Sequence, residues 1–327
     1  MIGCYLTGIL PRPKELIEVT RAYNRGKVNE DELEKAFEKA TLKVIDTQIS
    51  DEYSYVTDGM LKWQDLFRPL TENLNGVKMG SLARWFNNNT FYRKPIIVGD
   101  MWRKKSIVEK VSYTKYQPKN LPWKAILPAP YTFVQLSENQ FYTDETELMF
   151  KYAEVLREEI RGLARQGFKY VQLSDPALVY KPTAKSMASD NLNLIGEALK
   201  IAVKGIPVKT CLQTFFGDFS QILPGALNFP VDHLGIDLYE TNFDKLKKHS
   251  FDKGIALGLV DSRSSLVEKE DELITVAEEI TGSIYRSKIC EVFVCANCDL
   301  EFLPWEKAEK KMKVISGVTE SLKEEFS

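Results

Sequence analysis

Several residue types that mark particular classes of protein are scarce in this chain. Its 327 residues include only two histidines, His233 and His249, which leaves little room for a site built from several imidazoles. The five cysteines are few and odd in number, which favours a reducing cytoplasm over a framework of disulfides. No stretch approaches the ~20 apolar residues of a membrane-spanning helix, and the N-terminal segment lacks the pattern of a secretory signal. We therefore expect a cytoplasmic protein that does not contact a membrane.

Charge of one sign is not concentrated anywhere along the chain. The 44 basic and 46 acidic residues give a net charge of −2, with no basic block that would bind a phosphate backbone. A nucleic acid is therefore not an expected partner. No Gly-x-Gly-x-x-Gly turn follows an early apolar segment, so a doubly wound dinucleotide-binding sheet, the main alternative fold, has no positive support.

Short apolar segments alternate with helical patterns along the chain, as is typical of parallel strands covered by helices. Helical periodicity is clear over residues 30–48 and 145–165, and a charged helix is expected from Trp305. The length suits one barrel of ~250 residues with insertions. We therefore predict an α/β fold, a single (β/α)8 TIM-type barrel over residues 1–327 with an N-terminal helical extension and loop insertions. The eight expected strands lie near Cys4, Tyr53, Tyr131, Tyr170, Val208, Leu234, Ile255 and Glu291.

Two regions do not fit a simple alternation of strand and helix. Residues 131–136 follow a Pro-Ala-Pro break and are expected to continue a strand that begins at 125–127. Residues 63–100 are rich in aromatic side chains and too long for a plain connection. We expect this second region to be an irregular loop with a functional role.

Polar side chains follow the apolar segments, at the strand ends where barrel enzymes place their active sites. Asp175, Asp237 and Asp261 can accept hydrogen bonds from a cationic or heterocyclic substrate and are the catalytic candidates. A carboxylate at the barrel rim can equally cap the next helix, which is the alternative for each of them. Asp58 follows another strand end and is a candidate for binding substrate.

Basic side chains near the same end can bind an anionic substrate group, because guanidinium forks match carboxylates. Arg12, Lys14 and Arg84 are the candidates, and a solvated surface charge is the alternative for each. Three other strand-end residues can hold a metal, namely Cys211, Glu240 and Cys298. Two thiolates and a carboxylate suit a catalytic zinc with one open position, where a substrate thiol would become a thiolate. The alternative is that both cysteines are ordinary buried side chains.

Six short segments, in the same order, resemble cobalamin-independent methionine synthase, a family whose chain consists of two related β/α barrels. The match extends nearly end to end over one barrel and is closest to the N-terminal half, with partial features of the catalytic C-terminal half. One segment reads Gly-Ile-Leu-Pro-Arg-Pro-Lys-Glu-Leu, and another reads Leu-Gln-Thr-Phe-Phe-Gly-Asp. The six segments are residues 8–16, 84–87, 127–137, 171–178, 212–218 and 298–304.

The resemblance implies roles for several residues. Glu15 and Leu16, with Lys14 and Arg84, would contact the polyglutamate tail of a methyltetrahydrofolate donor. Ser174 takes the position of an aspartate that binds the substrate amino group in the family. Glu240 and Cys298 match two zinc ligands. The His-x-Cys pair that supplies the other two falls near Cys211, and it is not intact here.

The resemblance therefore implies a methyltransferase of methionine biosynthesis. It would move a methyl group from methyltetrahydrofolate to the thiol of homocysteine, with zinc and without cobalamin. The alternative is a non-catalytic barrel that binds the folate tail or docks with a separate catalytic methionine synthase subunit. A third, unrelated interpretation is a barrel enzyme that uses Asp175, Asp237 and Glu240 as acid and base groups.

Overall fold

The structure, a computed structural model, describes residues 1–107, 112–183, 189–284 and 291–325, so that Cys290 lies outside the described residues. Seven parallel strands form its main sheet, in the spatial order β1-β10-β9-β8-β7-β6-β4. In this order, their bounds are Ile2–Cys4, Val292–Ala296, Gly254–Val260, His233–Asp237, Lys209–Gln213, Phe168–Ser174 and Trp123–Pro128. A small second sheet consists of β2 (Leu74–Arg84), β3 (Phe91–Arg103) and β5 (Glu138–Asn139).

Residues 53–57 close the main sheet into a barrel. On one side, the Ser54 amide donates to the Cys4 carbonyl over 3.0 Å. On the other, the Val56 amide donates to the Pro122 carbonyl over 3.0 Å, and the Lys124 amide donates to the Val56 carbonyl over 2.9 Å. This segment therefore occupies the eighth strand position, between β1 and β4, as its β-branched and aromatic composition predicts. The predicted (β/α)8 barrel is confirmed.

Helices cover the outside of the barrel, and their ends follow from local capping chemistry. Asn29 and Glu32 form a reciprocal capping box at the start of α2, and the Asp144 carboxylate accepts the Glu147 amide at the start of α5. Helices α1 and α2 form the predicted N-terminal extension. In chain order, α1 to α9 are Lys14–Asn24, Glu30–Ser50, Arg68–Asn73, Pro130–Gln135, Glu145–Arg165, Ser189–Val203, Phe243–Leu246, Glu270–Ile284 and Trp305–Glu325.

The prediction of a strand over residues 131–136 is wrong. The strand is β4, and it ends at Pro128, after which α4 begins at once with Pro130 in its first turn. Proline is pre-organised for a first helical turn, where its missing amide hydrogen would have no partner in any case. The Pro-Ala-Pro segment is therefore a helix start, and the apolar residues after it pack as a helix.

The prediction of an irregular loop over residues 63–100 is also wrong for most of its length. Strands β2 and β3 form a long antiparallel hairpin whose register shifts between Asn75 and Val77 and again between Met79 and Leu82. At the first shift, Gly76 has a φ of +72°, and a Cβ there would lie 2.4 Å from the Asp100 carbonyl oxygen. Glycine is needed at that bulge because of both constraints.

Most polar side chains inside the barrel lie on alternate residues of the strands. A compact buried cluster lies inside the barrel, away from the carboxyl ends of the strands, and includes Tyr5, Tyr170, Cys211, Phe293 and Cys295. A much larger apolar core fills the space between the sheet and the helices. Among the described helices, none is both long and apolar enough to cross a membrane.

A buried ion pair anchors the hairpin to the barrel. Arg103, the last residue of β3, donates from Nη1 to Glu159 Oε2 on α5 over 2.6 Å. Glu159 is fully buried, and its other oxygen accepts the Ile107 amide over 3.0 Å. We expect Glu159→Ala to lower the free energy of unfolding by about 3–5 kcal/mol, because it leaves a largely buried guanidinium without its partner. Chemical denaturation measures the effect.

The neighbouring Glu158 provides a matched control for that substitution. Its carboxylate lies 3.9 Å from Arg103 Nε, but its side chain is 61% exposed. We expect Glu158→Ala to cost less than about 1 kcal/mol, as is usual for an exposed pair. Equal losses in the two variants would show that the buried pair does not anchor the hairpin.

Candidate active site at the carboxyl end of the barrel

Buried polar side chains gather at the carboxyl ends of adjacent strands. Ser174 ends β6, Gln213 ends β7 and Asp237 ends β8, while Asn297 directly follows β10. All four are at most 2% exposed. Gly235 makes room for one of them, since a Cβ at that position would lie 2.1 Å from Gln213 Oε1. The strand order brings these residues, distant in sequence, to one end of the barrel.

Asp237 is the centre of a hydrogen-bond network. Its Oδ2 accepts the Phe216 amide over 3.2 Å, and its Oδ1 accepts the Tyr239 amide over 3.1 Å. Asn297 Nδ2 bridges this carboxylate to Asp261, with distances of 3.3 Å to Asp237 Oδ1 and 3.2 Å to Asp261 Oδ1. Burial raises the pKa of Asp237. Two of the predicted acids are thus brought together by an asparagine that the sequence did not single out.

Asp175 directly follows β6, two strands from Asp237, and has an unusual environment. The Thr132 hydroxyl donates to its Oδ1 over 2.6 Å, but its buried Oδ2 has no partner among the described residues. Burial raises the pKa of Asp175 to about 7. The buried Nε2 of Gln213 also lacks a described partner. Because a buried polar atom without a partner is costly, both atoms are available to a polar ligand group.

The predicted metal ligands do not come together. Cys211 lies two residues before the end of β7, deeper in the barrel than Gln213, and its sulfur accepts from the Tyr5 hydroxyl over 3.6 Å. Glu240 is exposed and pairs with Arg263 Nη1 over 2.6 Å. Among the described residues, no group of three or more His, Cys, Asp or Glu side chains could hold a metal ion.

The hydrogen bonds of Cys298 place a proton on its sulfur. The Ser262 hydroxyl donates its one hydrogen to Asn297 Oδ1 over 2.8 Å. The contact of 2.7 Å between Ser262 Oγ and Cys298 Sγ then requires the thiol to donate. Burial also raises the pKa of Cys298 well above its usual value. Zinc would have to displace this proton, so the poor fit of the three residues rests on their positions: Cys211 lies deeper in the barrel, and Glu240 is paired with Arg263.

A buried lysine places its amine inside the barrel. Lys124 Nζ donates to the Leu6 carbonyl and to Gln172 Oε1, both over 2.6 Å, and lies 3.3 Å from the centre of the Tyr5 ring. Burial lowers the pKa of Lys124 to about 7. Sequence patterns offer no signal for this role, because one lysine in an apolar strand resembles an ordinary surface charge.

A groove of about 1210 Å³ lies beside the barrel mouth, between α1, α2 and the segment that precedes α9. Arg12 and Lys14, which the sequence predicts to bind an anionic group, both line it. The Arg12 guanidinium is fixed by a bond from Nε to the Leu61 carbonyl and lies 5.2 Å from the centre of the Phe37 ring. Lys14 is 80% exposed at its side chain and reaches solvent.

The other predicted substrate-binding residues have different surroundings. Leu16 is 1% exposed and belongs to the core, whereas Glu15 is exposed in the first turn of α1. Asp58 is buried and accepts the amides of Met60 and Tyr113, which makes it a turn residue. Arg84 ends β2, with its guanidinium 6.0 Å from the Phe91 ring. None of these four residues lines the groove beside the mouth.

Comparisons of the sequence with a family model and with individual relatives identify the same family. A family model described as the catalytic domain of cobalamin-independent synthase matches residues 3–321. The methionine synthase of Sulfolobus acidocaldarius is 28% identical over 97% of this chain and 92% of its own length. The methionine synthase of Saccharolobus solfataricus is also 28% identical, over 98% of this chain and 94% of its own.

Solved structures share the fold. A B12-independent methionine synthase from Shewanella sp. W3-18-1, in complex with selenomethionine, superposes with a TM-score of 0.79 at 20% identity and covers 100% of this chain and 99% of its own. A methyltransferase from Methanosarcina mazei gives a TM-score of 0.60 at 12% identity, over 98% and 94% of the two chains. At such low identity, these structures support the fold alone.

The side chains at the barrel mouth predict that this chain does not hold zinc at Cys211, Glu240 and Cys298. Protein purified without chelator should contain far less than one equivalent of zinc, and EDTA should leave its melting temperature unchanged. Elemental analysis and thermal unfolding measure both. One equivalent of zinc that is lost in Cys298→Ser, but kept in the control Cys295→Ser, would contradict the assignment.

The buried Lys124 predicts a particular dependence of stability on pH. Its pKa is about 7 when folded and about 10.5 when unfolded, so between these values only the unfolded chain binds the proton. The free energy of unfolding of the wild type should therefore rise with pH above about 7, relative to Lys124→Met, by up to about 1.4 kcal/mol per pH unit. Denaturation of both proteins from pH 6 to 10 measures the difference. Parallel curves would show that Lys124 stays charged in the folded protein.

Proposed function

Because the chain belongs to the cobalamin-independent methionine synthase family, we propose that it transfers a methyl group from a methyltetrahydrofolate donor to the thiol of homocysteine. Methyl transfer in methionine biosynthesis is the activity of this family, and it proceeds without cobalamin. We also propose that these two molecules are the substrates, that the chain is active on its own, and that it is located in the cytoplasm. We further propose that residues 1–327 act as one barrel unit.

The observation that carries the proposal is the groove lined by Arg12 and Lys14, which extends to Ile9 after β1 and to Glu301 after β10. An elongated anionic donor, such as a folate with several glutamates, matches a groove with a fixed guanidinium and a mobile ammonium. Its methyl-bearing end would then lie near the barrel mouth, where orientation of two substrates lowers the entropic part of the barrier.

The buried acids at the mouth support a role in orienting the acceptor. Asp175 carries a free carboxylate oxygen at a pKa of about 7, and Gln213 carries a free amide donor. We propose that these two side chains bind polar groups of homocysteine, and that Ser174 lies beside them as a further contact. Asp237 and Asp261, joined through Asn297, would hold the neighbouring strand ends in place.

The separation of the predicted metal ligands favours a second candidate function. Glu240 is paired with Arg263, and the described His, Cys, Asp and Glu side chains form no group of three or more around a metal position. The chain would then be a helper that binds the donor tail and works with a separate catalytic methionine synthase subunit. This candidate uses the same groove and differs in where the methyl group is transferred.

The groove predicts a selective effect of Lys14→Ala. The KM for a triglutamate donor should rise about fivefold, since one exposed charge contact contributes about 1 kcal/mol. The kcat, and the KM for the monoglutamate donor, should stay the same. Steady-state assays of methionine formation with purified protein measure these constants. The control is Lys169→Ala, an exposed lysine near the start of β6 at the opposite end of the barrel.

The same assay separates the two candidate functions. Methionine formation by the purified chain alone supports the enzyme. Turnover that appears only after a catalytic methionine synthase barrel is added supports the helper. Equal changes in KM for both donors, or the same change in Lys169→Ala, would contradict the groove as the tail site.

A further inference from the structure

A second cavity of about 290 Å³ lies between the barrel mouth and the β2–β3 hairpin. Aromatic side chains form one wall, namely Trp85, Phe91 and Tyr92. Trp85 and Tyr92 are at most 5% exposed, and their ring centres lie 5.8 Å apart in an edge-to-face arrangement. Because these two rings are fixed by packing, the wall is rigid. The cavity is large enough for a small organic molecule.

Three carboxylates and no basic residue line the same cavity: Asp65, Asp299 and Glu301. Asp65 is already neutralised, since it accepts the amides of Phe67 and Arg68 and pairs with the Arg68 guanidinium at 3.3 Å. The other two acids, Asp299 and Glu301, form no ion pair with a described basic side chain.

Asp299 and Glu301 have little compensation within the described chain. Asp299 Oδ1 accepts the Ile9 amide over 3.0 Å, and its carboxylate packs so closely on Gly8 that a Cβ there would lie 1.3 Å from this oxygen. No described basic side chain forms an ion pair with either acid; Lys124 acts on Asp299 only as a minor electrostatic influence. Burial, and for Glu301 also the charges of Asp299 and Asp65, raises both pKa values, to about 7 for Asp299 and about 8 for Glu301.

An independent observation also indicates a missing polar partner. Thr90, which lines the cavity at the hairpin tip, has a buried hydroxyl oxygen without a hydrogen-bond partner among the described residues. A buried hydroxyl of this kind is costly unless a ligand or water satisfies it. The carboxylates are not arranged for a metal ion, since the described residues hold no group of metal-ligating side chains. The missing partner is therefore better matched by an organic group than by a bare ion.

We propose that this cavity binds the ammonium group of a small organic amine, held by Glu301 and Asp299 and faced by the rings of Trp85 and Tyr92. Carboxylates supply charge-assisted hydrogen bonds to the ammonium, and aromatic faces attract a cation as well as the apolar part of its carrier. The cavity shares Ile9 and Glu301 with the groove beside the mouth, so a bound amine would lie next to that groove. The inference does not depend on methyl transfer, because binding alone tests it.

Titration calorimetry with n-butylammonium tests the proposal, with n-butanol as the neutral probe of similar shape. We expect saturable binding of butylammonium and none of butanol. At pH 9, where both carboxylates are charged, Glu301→Gln and Asp299→Asn should each weaken binding about tenfold or more, because each removes a charged partner. Affinity should rise from pH 6 to pH 9, since both carboxylates lose their protons over this range while an alkylammonium, with a pKa of about 10, keeps its own.

The control variant is Glu306→Gln, an exposed acid in the adjoining groove that does not line the cavity. It should bind butylammonium as the wild type does. Thermal unfolding confirms that each variant is folded. The two cavity variants test the same site independently. Lack of saturable binding, equal binding of butanol, unchanged affinity in both cavity variants, or tighter binding of Mg²⁺ at Glu301 would each overturn the proposal.

Discussion

The hydrogen bonds of the Lys124 amine are the interaction on which the interior of the barrel depends. The amine links three strand regions at once, since it extends from β4 to the Leu6 carbonyl after β1 and to Gln172 on β6. Gln172 in turn donates to the Thr7 carbonyl and to Ser174 at the mouth. Barrel interiors are usually filled by layers of branched apolar side chains. Here a polar contact fixes the position of the strand ends, so the geometry of the mouth follows from a residue in the core.

The features that the sequence could predict are those with a strong local pattern. The helix over 145–165 was predicted to the residue, because its apolar spacing and its glycine stop leave no alternative. The hairpin was missed because β2 is partly exposed along most of its length, so it lacks the alternation that indicates a strand. The helix at Pro130 was missed because proline was interpreted as a break within a strand rather than as a first helical turn.

The candidate site was predictable only in part for a related reason. Strand ends identify Asp175, Asp237 and Asp261, since position along the chain is enough to find them. The depth of Cys211, the proton on Cys298 and the bridge through Asn297 depend on contacts between distant strands. No local pattern records such contacts. Whether the described residues assemble a metal group therefore depends on how the strands lie side by side.

The contact between Gly8 and Asp299 has a consequence for how this chain can vary. The two residues lie near opposite ends of the sequence, yet the carboxylate occupies the space that any side chain at position 8 would need. A larger residue at position 8 is accommodated only if residue 299 becomes smaller or moves. We therefore expect the two positions to be epistatic. In a scan of single substitutions, each position would tolerate few changes because of the residue present at the other.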